Sequence, residues 1–256
     1  MNSRDLVRQW TNIIAVAATL VVNGLANAIP LNGQQTGEIS DRFQVYFVPA
    51  GYVFAIWGLI YLGLIAFGIY QALPAQRANP RLRAIGYWFV ASCVANIAWI
   101  FLWHYNYFVW TLFAMLGLLI CLIIIYQRLG TGLRKSSPAE TWCVQIPFSI
   151  YLGWISVATI ANVTDVLYIL KWNGFGLNPQ LWAVVMLIIA LIVGGLMAWR
   201  RADWAYLLVF VWAFAGIGVK QADFSLVANA AWTAAVISAL LVFVAFWRTP
   251  KIYQTN

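Results

Sequence analysis

Eight apolar segments follow one another along this 256-residue chain, and each is close to the length of a helix that crosses a bilayer. A spanning helix needs about 20 mostly apolar residues. The composition agrees, because 64% of the residues are hydrophobic and 9% are charged, against roughly 45–50% and 25% in soluble domains. The sequence predicts an all-α, polytopic membrane helix bundle of about eight transmembrane helices, over residues 10–30, 48–71, 83–104, 107–127, 141–163, 180–200, 204–219 and 224–247.

The basic residues predict the orientation of these helices. If the N-terminus lies inside, twelve of the 15 Lys and Arg residues fall in inner loops, and the other three, Arg42, Lys171 and Lys220, fall outside. Loops rich in Lys and Arg stay on the cytoplasmic side. We therefore expect both termini to be cytoplasmic, and the net charge of +8 needs no nucleic-acid partner to explain it.

Aromatic and polar side chains recur on single faces of three predicted helices. Four residues of the fifth segment share one face by their spacing of three and four residues, and comparable pairs occur in the second and third segments. Lipid-facing surface needs only aliphatic bulk, so these faces are expected to pack inward or to line a cavity. They carry Trp57 and Tyr61, Asn96 and Trp99, and Tyr151, Trp154, Ala158 and Asn162.

Two interpretations of the buried amides stay open. Asn162 would be costly in hydrocarbon without a partner, so it either bonds a neighbouring helix or lines a ligand pocket. Trp103 fits the interfacial aromatic belt. His104, the only histidine, is expected to be an interfacial polar residue rather than a haem ligand. Acidic residues inside the predicted hydrocarbon core are absent, which disfavours a pump that uses a buried carboxylate.

The first five segments resemble the tryptophan-rich sensory protein/translocator protein family (TspO/MBR, the peripheral benzodiazepine receptor family). The second helix of that family begins with a PPGWVF-type stretch and W-x-x-x-Y, and this chain has Pro49–Phe54, then Trp57 and Tyr61. An L-N-x-x-W motif is matched by Asn96 and Trp99. The P-Y-x-x-W-x-x-F-A-x-x-L-N pattern of the fifth helix is matched in part by Tyr151, Trp154, Ala158 and Asn162.

The resemblance implies a five-helix ligand-binding core over residues 1–170, followed over residues 171–256 by three additional transmembrane helices of unknown role. It implies a receptor, sensor or carrier that binds a planar hydrophobic ligand, a porphyrin or other tetrapyrrole, in a pocket inside the bundle. No cofactor is expected to be required, the tetrapyrrole being a ligand that the chain can bind, and no catalytic or metal-binding residues are expected. The ligand-binding residues that it implies are Trp57, Tyr61, Asn96, Trp99, Trp154, Ala158 and Asn162.

The expected partners are the hydrophobic small molecule and membrane lipid, and the resemblance also suggests a homodimer. The expected location is the plasma (inner) membrane of a prokaryote. Two other functions stay open, a secondary transporter of a small amphipathic solute and a photo-oxidative enzyme that degrades porphyrin. The string Val227–Trp232 repeats the pattern of Val94–Trp99, as an inverted repeat of a transporter would, although chance explains so short a match.

The first apolar segment has a second interpretation. Arg4 and Arg8 precede it, and the small residues Ala26–Ala28 follow it, as in a cleaved signal peptide. Asn23 and Asn27 lie one turn apart on the same face, which favours a helix packed inside a bundle.

Overall fold

A computed structural model describes residues 3–252 of the chain, with side chains through residue 248. The described part contains helices and connecting turns but no strands, so the all-α prediction is confirmed there. The predicted cytoplasmic termini, residues 1–2 and 253–256, lie outside the described residues. The helices are α1 (Ser3–Ala28), α2 (Thr36–Ser40), α3 (Ile56–Ala72), α4 (Pro80–Ile85), α5 (Trp88–His104), α6 (Phe108–Leu129), α7 (Pro138–Glu140), α8 (Ile146–Ile169), α9 (Pro179–Arg201), α10 (Trp204–Lys220) and α11 (Ser225–Ile252).

Six helical segments of the described chain are long and apolar enough to cross a membrane. Helices α5 and α10 are apolar but have only 17 residues each. α5 is shorter than the predicted segment 83–104 because the chain breaks at Gly86, where φ is 59°. That backbone conformation favours glycine, since a Cβ would be strained there. The six helices that meet the criterion lie in Ser3–Ala28, Gly51–Ala72, Phe108–Leu129, Pro138–Ile169, Pro179–Arg201 and Ser225–Arg248.

The chain divides into two compact units. The first unit is Met1–Ile39, Trp57–Thr131 and Ser136–Leu152, and the second is Ser40–Ile56, Gly132–Lys135 and Gly153–Asn256. Helix α8 therefore begins in the first unit and ends in the second. A wide π-helical turn, Thr141–Gln145, precedes α8. Pro147, in the first turn of α8, lacks the N–H that a regular helix would use there.

Aromatic rings fill the core of the first unit. Phe67 of α3, Phe89 of α5 and Phe148 of α8 are fully buried. Their ring centroids lie 4.8–5.9 Å apart in edge-to-face geometry, the arrangement that the ring quadrupoles favour. Helices α5 and α6 pack together and are joined by a short turn, as the brief connection in the sequence predicts.

In the second unit, α10 packs against α11 and against the segment that precedes α3. The Ala50 N–H donates to the carbonyl of Gly216 over 3.1 Å, and the Trp212 indole donates to the carbonyl of Val53 over 3.0 Å. A Cβ on Gly216 would approach a Val53 methyl to within 2.2 Å, so only glycine allows this contact. The first half of the Pro49–Tyr61 motif is therefore fixed by α10.

Candidate functional site

A chain of buried polar side chains crosses the first unit between three helices. Asn23 of α1 donates to the Oδ1 of Asn96 over 2.7 Å, and Asn96 donates to the hydroxyl of Tyr151 over 3.1 Å. All three side chains are almost completely buried. Asn96 thus joins α1, α5 and α8 through hydrogen bonds, as amides do between membrane helices.

Aromatic rings lie beside this network. The ring of Trp57 stacks on Tyr61 at a centroid distance of 5.7 Å, and its edge meets Tyr151 at 6.0 Å. Trp57, Tyr61 and Asn96 are therefore grouped around one tyrosine, Tyr151. Three of the seven predicted ligand-binding residues form this cluster, which combines flat apolar rings with a polar edge.

Trp99, the fourth predicted residue of the first unit, lies further along α5. Its indole stacks on Trp103 at a centroid distance of 5.1 Å. The Nε1 of Trp99 is buried and has no hydrogen-bond acceptor. Because a buried donor normally has a partner, this N–H is a candidate contact for a polar atom of a ligand.

Trp103 and His104, which were predicted to lie at the membrane interface, are buried beneath another segment of the chain. Trp103 is buried and donates to the carbonyl of Thr36 over 3.2 Å. The His104 ring is fully buried, with Nε2 3.0 Å from the hydroxyl of Thr36 and Nδ1 3.2 Å from the carbonyl of Leu31. The segment Leu31–Thr36 covers this end of α5, which no pattern in the sequence indicates.

The remaining predicted residues, Trp154, Ala158 and Asn162, belong to α8 within the second unit. The Trp154 ring is buried and meets Phe54 edge-to-face at 5.8 Å. Asn162 is buried two turns later, and Ala158 between them is half-buried. The inward orientation predicted for Trp154 and Asn162 is therefore present, on a helix whose next turn carries a further polar group.

That further group is Asp165, which lies between the predicted segments 141–163 and 180–200 and was therefore expected in a loop. Helix α8 continues to Ile169, so Asp165 lies inside a membrane helix with 3% of its surface exposed. Its Oδ1 has no hydrogen-bond donor. The expectation that Asp165 lies in a loop is therefore wrong, since the residue is helical. A carboxylate within a membrane helix is costly, and such residues usually serve a function.

A cavity of about 260 Å³ opens in the second unit. Its walls come from the segment Gln44–Phe47, the end of α8, the turn before α9 and the first residues of α9. Five flat rings contribute, those of Tyr46, Phe47, Tyr168, Trp172 and Trp182. The rings of Trp172 and Trp182 meet at 4.8 Å. The many aromatic residues between positions 168 and 182 can be seen in the sequence. That they share a cavity with residues 44–47 cannot.

The repeated string in α11 does not reproduce the surroundings of its counterpart in α5. Asn96 and Trp99 are buried, whereas Asn229 is exposed and 46% of the Trp232 surface is accessible. The similarity is therefore one of residue letters and not of environment. This result favours chance over an inverted repeat.

The comparisons with known proteins extend the resemblance along the chain. The model of one family, described as TSPO-like protein, matches residues 9–246. The match continues through the last three helices as well as the first five. No curated protein and no solved structure matched. With a helical bundle of apolar segments and a family match over most of its length, the chain belongs to the TSPO-like protein family.

Proposed function

We propose that this membrane protein is a receptor, sensor or carrier for a planar hydrophobic ligand of the tetrapyrrole class. The observation that carries the proposal is the cavity of the second unit, because its walls are flat aromatic rings with a few polar groups. Ligand pockets have this composition. At about 260 Å³ the cavity would hold a small planar ring system whole, or one edge of a tetrapyrrole.

The residues predicted from the family motifs supply further proposed contacts for the same ligand in each unit by itself, and those of α8 in the second unit give a second placement. Trp57 and Tyr61 offer stacked rings, and Trp99 has an indole N–H without an acceptor. Trp154, Ala158 and Asn162 remain proposed ligand contacts. The two placements make different predictions, since one depends on Trp182 and the other on Trp154.

We propose that α5 and α10 also cross the membrane, which gives eight spans with both termini in the cytoplasm. At 1.5 Å per residue, 17 residues extend roughly 26 Å, close to the thickness of the hydrocarbon core. The contacts within the first unit support this orientation, because segments that are predicted to lie on the cytoplasmic side contact one another. Arg83 pairs with Asp5, and Arg128 donates to the carbonyl of Ala84.

Fluorescence quenching by protoporphyrin IX tests the ligand. The purified chain in detergent is titrated, and the Trp154→Ala and Trp182→Leu variants are titrated in parallel. Loss of one stacked indole is expected to weaken binding about tenfold, or about 1.4 kcal/mol. The control is Trp247→Leu, since the Trp247 ring is 84% exposed and its loss should leave the affinity unchanged.

The variants separate the two placements. Weaker binding by Trp182→Leu alone assigns the ligand to the cavity of the second unit, and weaker binding by Trp154→Ala alone assigns it to the α8 contacts Trp154, Ala158 and Asn162. Quenching that never saturates, or that all three variants leave unaltered, would show only partitioning into the micelle and would overturn the proposal.

Asp165 favours a secondary transporter as the second candidate. A buried carboxylate with one unpartnered oxygen can bind a proton or an organic cation in a membrane helix. The test is uptake of a labelled amphipathic cation into proteoliposomes under a proton gradient. Transport by the native chain that Asp165→Asn abolishes would support this candidate, and absence of gradient-driven uptake by the native chain would refute it.

A further inference from the structure

One end of the first unit carries more basic than acidic side chains, and we call it the basic corner. The segments concerned are the start of α1, the connection between α3 and α5, and α7. They contain five arginines, Arg4, Arg8, Arg77, Arg81 and Arg83, and two acids, Asp5 and Glu140. Glu140 is already engaged, because Arg81 donates to it over 2.9 Å.

The carboxylate of Asp5 is also engaged. Its main partner is Arg83 of α4, not an arginine of α1, the helix to which Asp5 belongs. Arg83 binds it through two nitrogens, at 2.9 and 2.5 Å. This hydrogen bond raises the pKa of Arg83. Arg8 approaches Asp5 only to 3.8 Å. The Asp5 carboxylate is therefore used mainly by Arg83.

The positive charge of Arg8 is left poorly compensated. Its side chain is buried, with 5% of the residue exposed. Nη2 donates to the carbonyl of Arg77 over 2.8 Å, but Nε and Nη1 have no acceptor. A buried guanidinium without acceptors is costly. The arrangement is one that an added anion would stabilise.

Arg77 lies beside Arg8 at the surface of this corner. Its Nε donates to the side chain of Gln9 over 3.1 Å, and the residue is half-buried. Gln9 in turn donates to the carbonyl groups of Gln71 and Leu73. Arg8 and Arg77 thus contact each other where α1 passes the end of α3, through the Arg8 side chain and the Arg77 carbonyl. Guanidinium groups bind phosphate by paired hydrogen bonds.

An apolar groove of about 300 Å³ starts at the same place and runs along α1 and α3. Ile13 lies one turn from Gln9, and Ala72 lies next to Gln71, so the groove begins beside the basic corner. From Ile13 to Leu20 the groove extends roughly 10 Å along α1. Its walls are Ile13, Val16, Ala17, Leu20, Ile65, Gly68, Ile69 and Ala72.

We propose that this groove and corner form a binding site for an anionic phospholipid. An acyl chain lies in the groove between α1 and α3, and the phosphate lies at Arg77 and Arg8. The apolar groove matches the acyl chain of such a lipid, and the basic corner matches its phosphate. Basic clusters near the ends of membrane helices attract anionic headgroups, with a contribution of about fivefold in affinity per basic side chain.

Native mass spectrometry of the full chain tests the proposal. The delipidated protein in detergent is mixed with equal amounts of phosphatidylglycerol and phosphatidylcholine that have the same acyl chains. The native chain is expected to retain phosphatidylglycerol in preference. Arg77→Gln should lower the ratio of the two bound lipids about fivefold, whereas Arg77→Lys, which keeps the charge, should preserve it.

Two further variants separate this site from general attraction to charge. Arg134→Gln removes an exposed arginine from the second unit and should leave the ratio unchanged. Ala17→Phe fills the groove and should lower the retention of both lipids. Equal binding of both lipids to the native chain, or an equal effect of Arg134→Gln and Arg77→Gln, would overturn the proposal. Displacement of phosphatidylglycerol by inorganic phosphate, with no effect of Ala17→Phe, would show a free-anion site instead.

Discussion

Removal of the Asn96 side chain is the most direct test of how the first unit is held together. Asn96→Ala breaks two hydrogen bonds between helices, to Asn23 and to Tyr151. Such bonds contribute about 0.6 kcal/mol on average and up to about 1.7 kcal/mol in a membrane protein. The two together predict a loss of about 1–3 kcal/mol in the free energy of unfolding.

A double-mutant cycle isolates the shorter of these bonds. The free energy of unfolding of Asn23→Ala, Asn96→Ala and the double variant is measured by reversible unfolding in detergent, followed by far-ultraviolet circular dichroism. At 2.7 Å the coupling free energy between Asn23 and Asn96 is expected to be at least about 0.6 kcal/mol, because the pair is buried and in contact. Tyr151→Phe removes only a hydroxyl and should cost about 0.6 kcal/mol.

Asn27→Ala serves as the matched control for this cycle. Asn27 lies one turn beyond Asn23, is exposed, and donates to the carbonyl of Asn23 within the same helix. Its removal should change the free energy of unfolding by less than about 0.5 kcal/mol. Strictly additive losses for Asn23→Ala and Asn96→Ala would refute the inference that a direct hydrogen bond joins α1 to α5.

Three further substitutions test the packing of the chain. Gly216→Ala is expected to cost about 1–3 kcal/mol in thermal unfolding because its Cβ has no room, whereas Gly195→Ala, which meets nothing within 4 Å, should be neutral. Thr36→Val removes the hydroxyl 3.0 Å from the His104 ring and should cost about 0.5–1.5 kcal/mol. It should also speed proteolysis of the covering segment, and unchanged cleavage would contradict that contact. Gly86→Ala should cost about 1–3 kcal/mol from backbone strain. A variant as stable as the native chain would show that the break before α5 does not require the positive φ of glycine.

The sequence predicted the helices well because hydrophobic length is a local property. It placed Asn96 and Trp154 inward, and both are buried, since an amide or a polar indole on an apolar helix has few other favourable surroundings. It could not predict how Asn96 bonds, because its partner Asn23 lies 73 residues away. Nothing local in the sequence marks such a pair.

The features that the sequence did not reveal have a common physical cause. His104 and Trp103 were expected at the interface because they end an apolar segment, yet the distant segment Leu31–Thr36 covers them. Asp165 was expected in a loop because a charge usually ends a membrane helix, yet α8 continues past it. In both cases tertiary packing supplied surroundings that the local pattern could not reveal.

The cavity of the second unit bears on the role of the last three helices. The boundary predicted at residue 170 stays a prediction, and the cavity has walls on both sides of it. Tyr46 and Tyr168 come before residue 170, and Trp172 and Trp182 come after it. The added helices also fix the family motif, through the bond from Ala50 to Gly216. The start of α9 therefore contributes to the proposed ligand cavity, and Trp182→Leu is expected to weaken porphyrin binding.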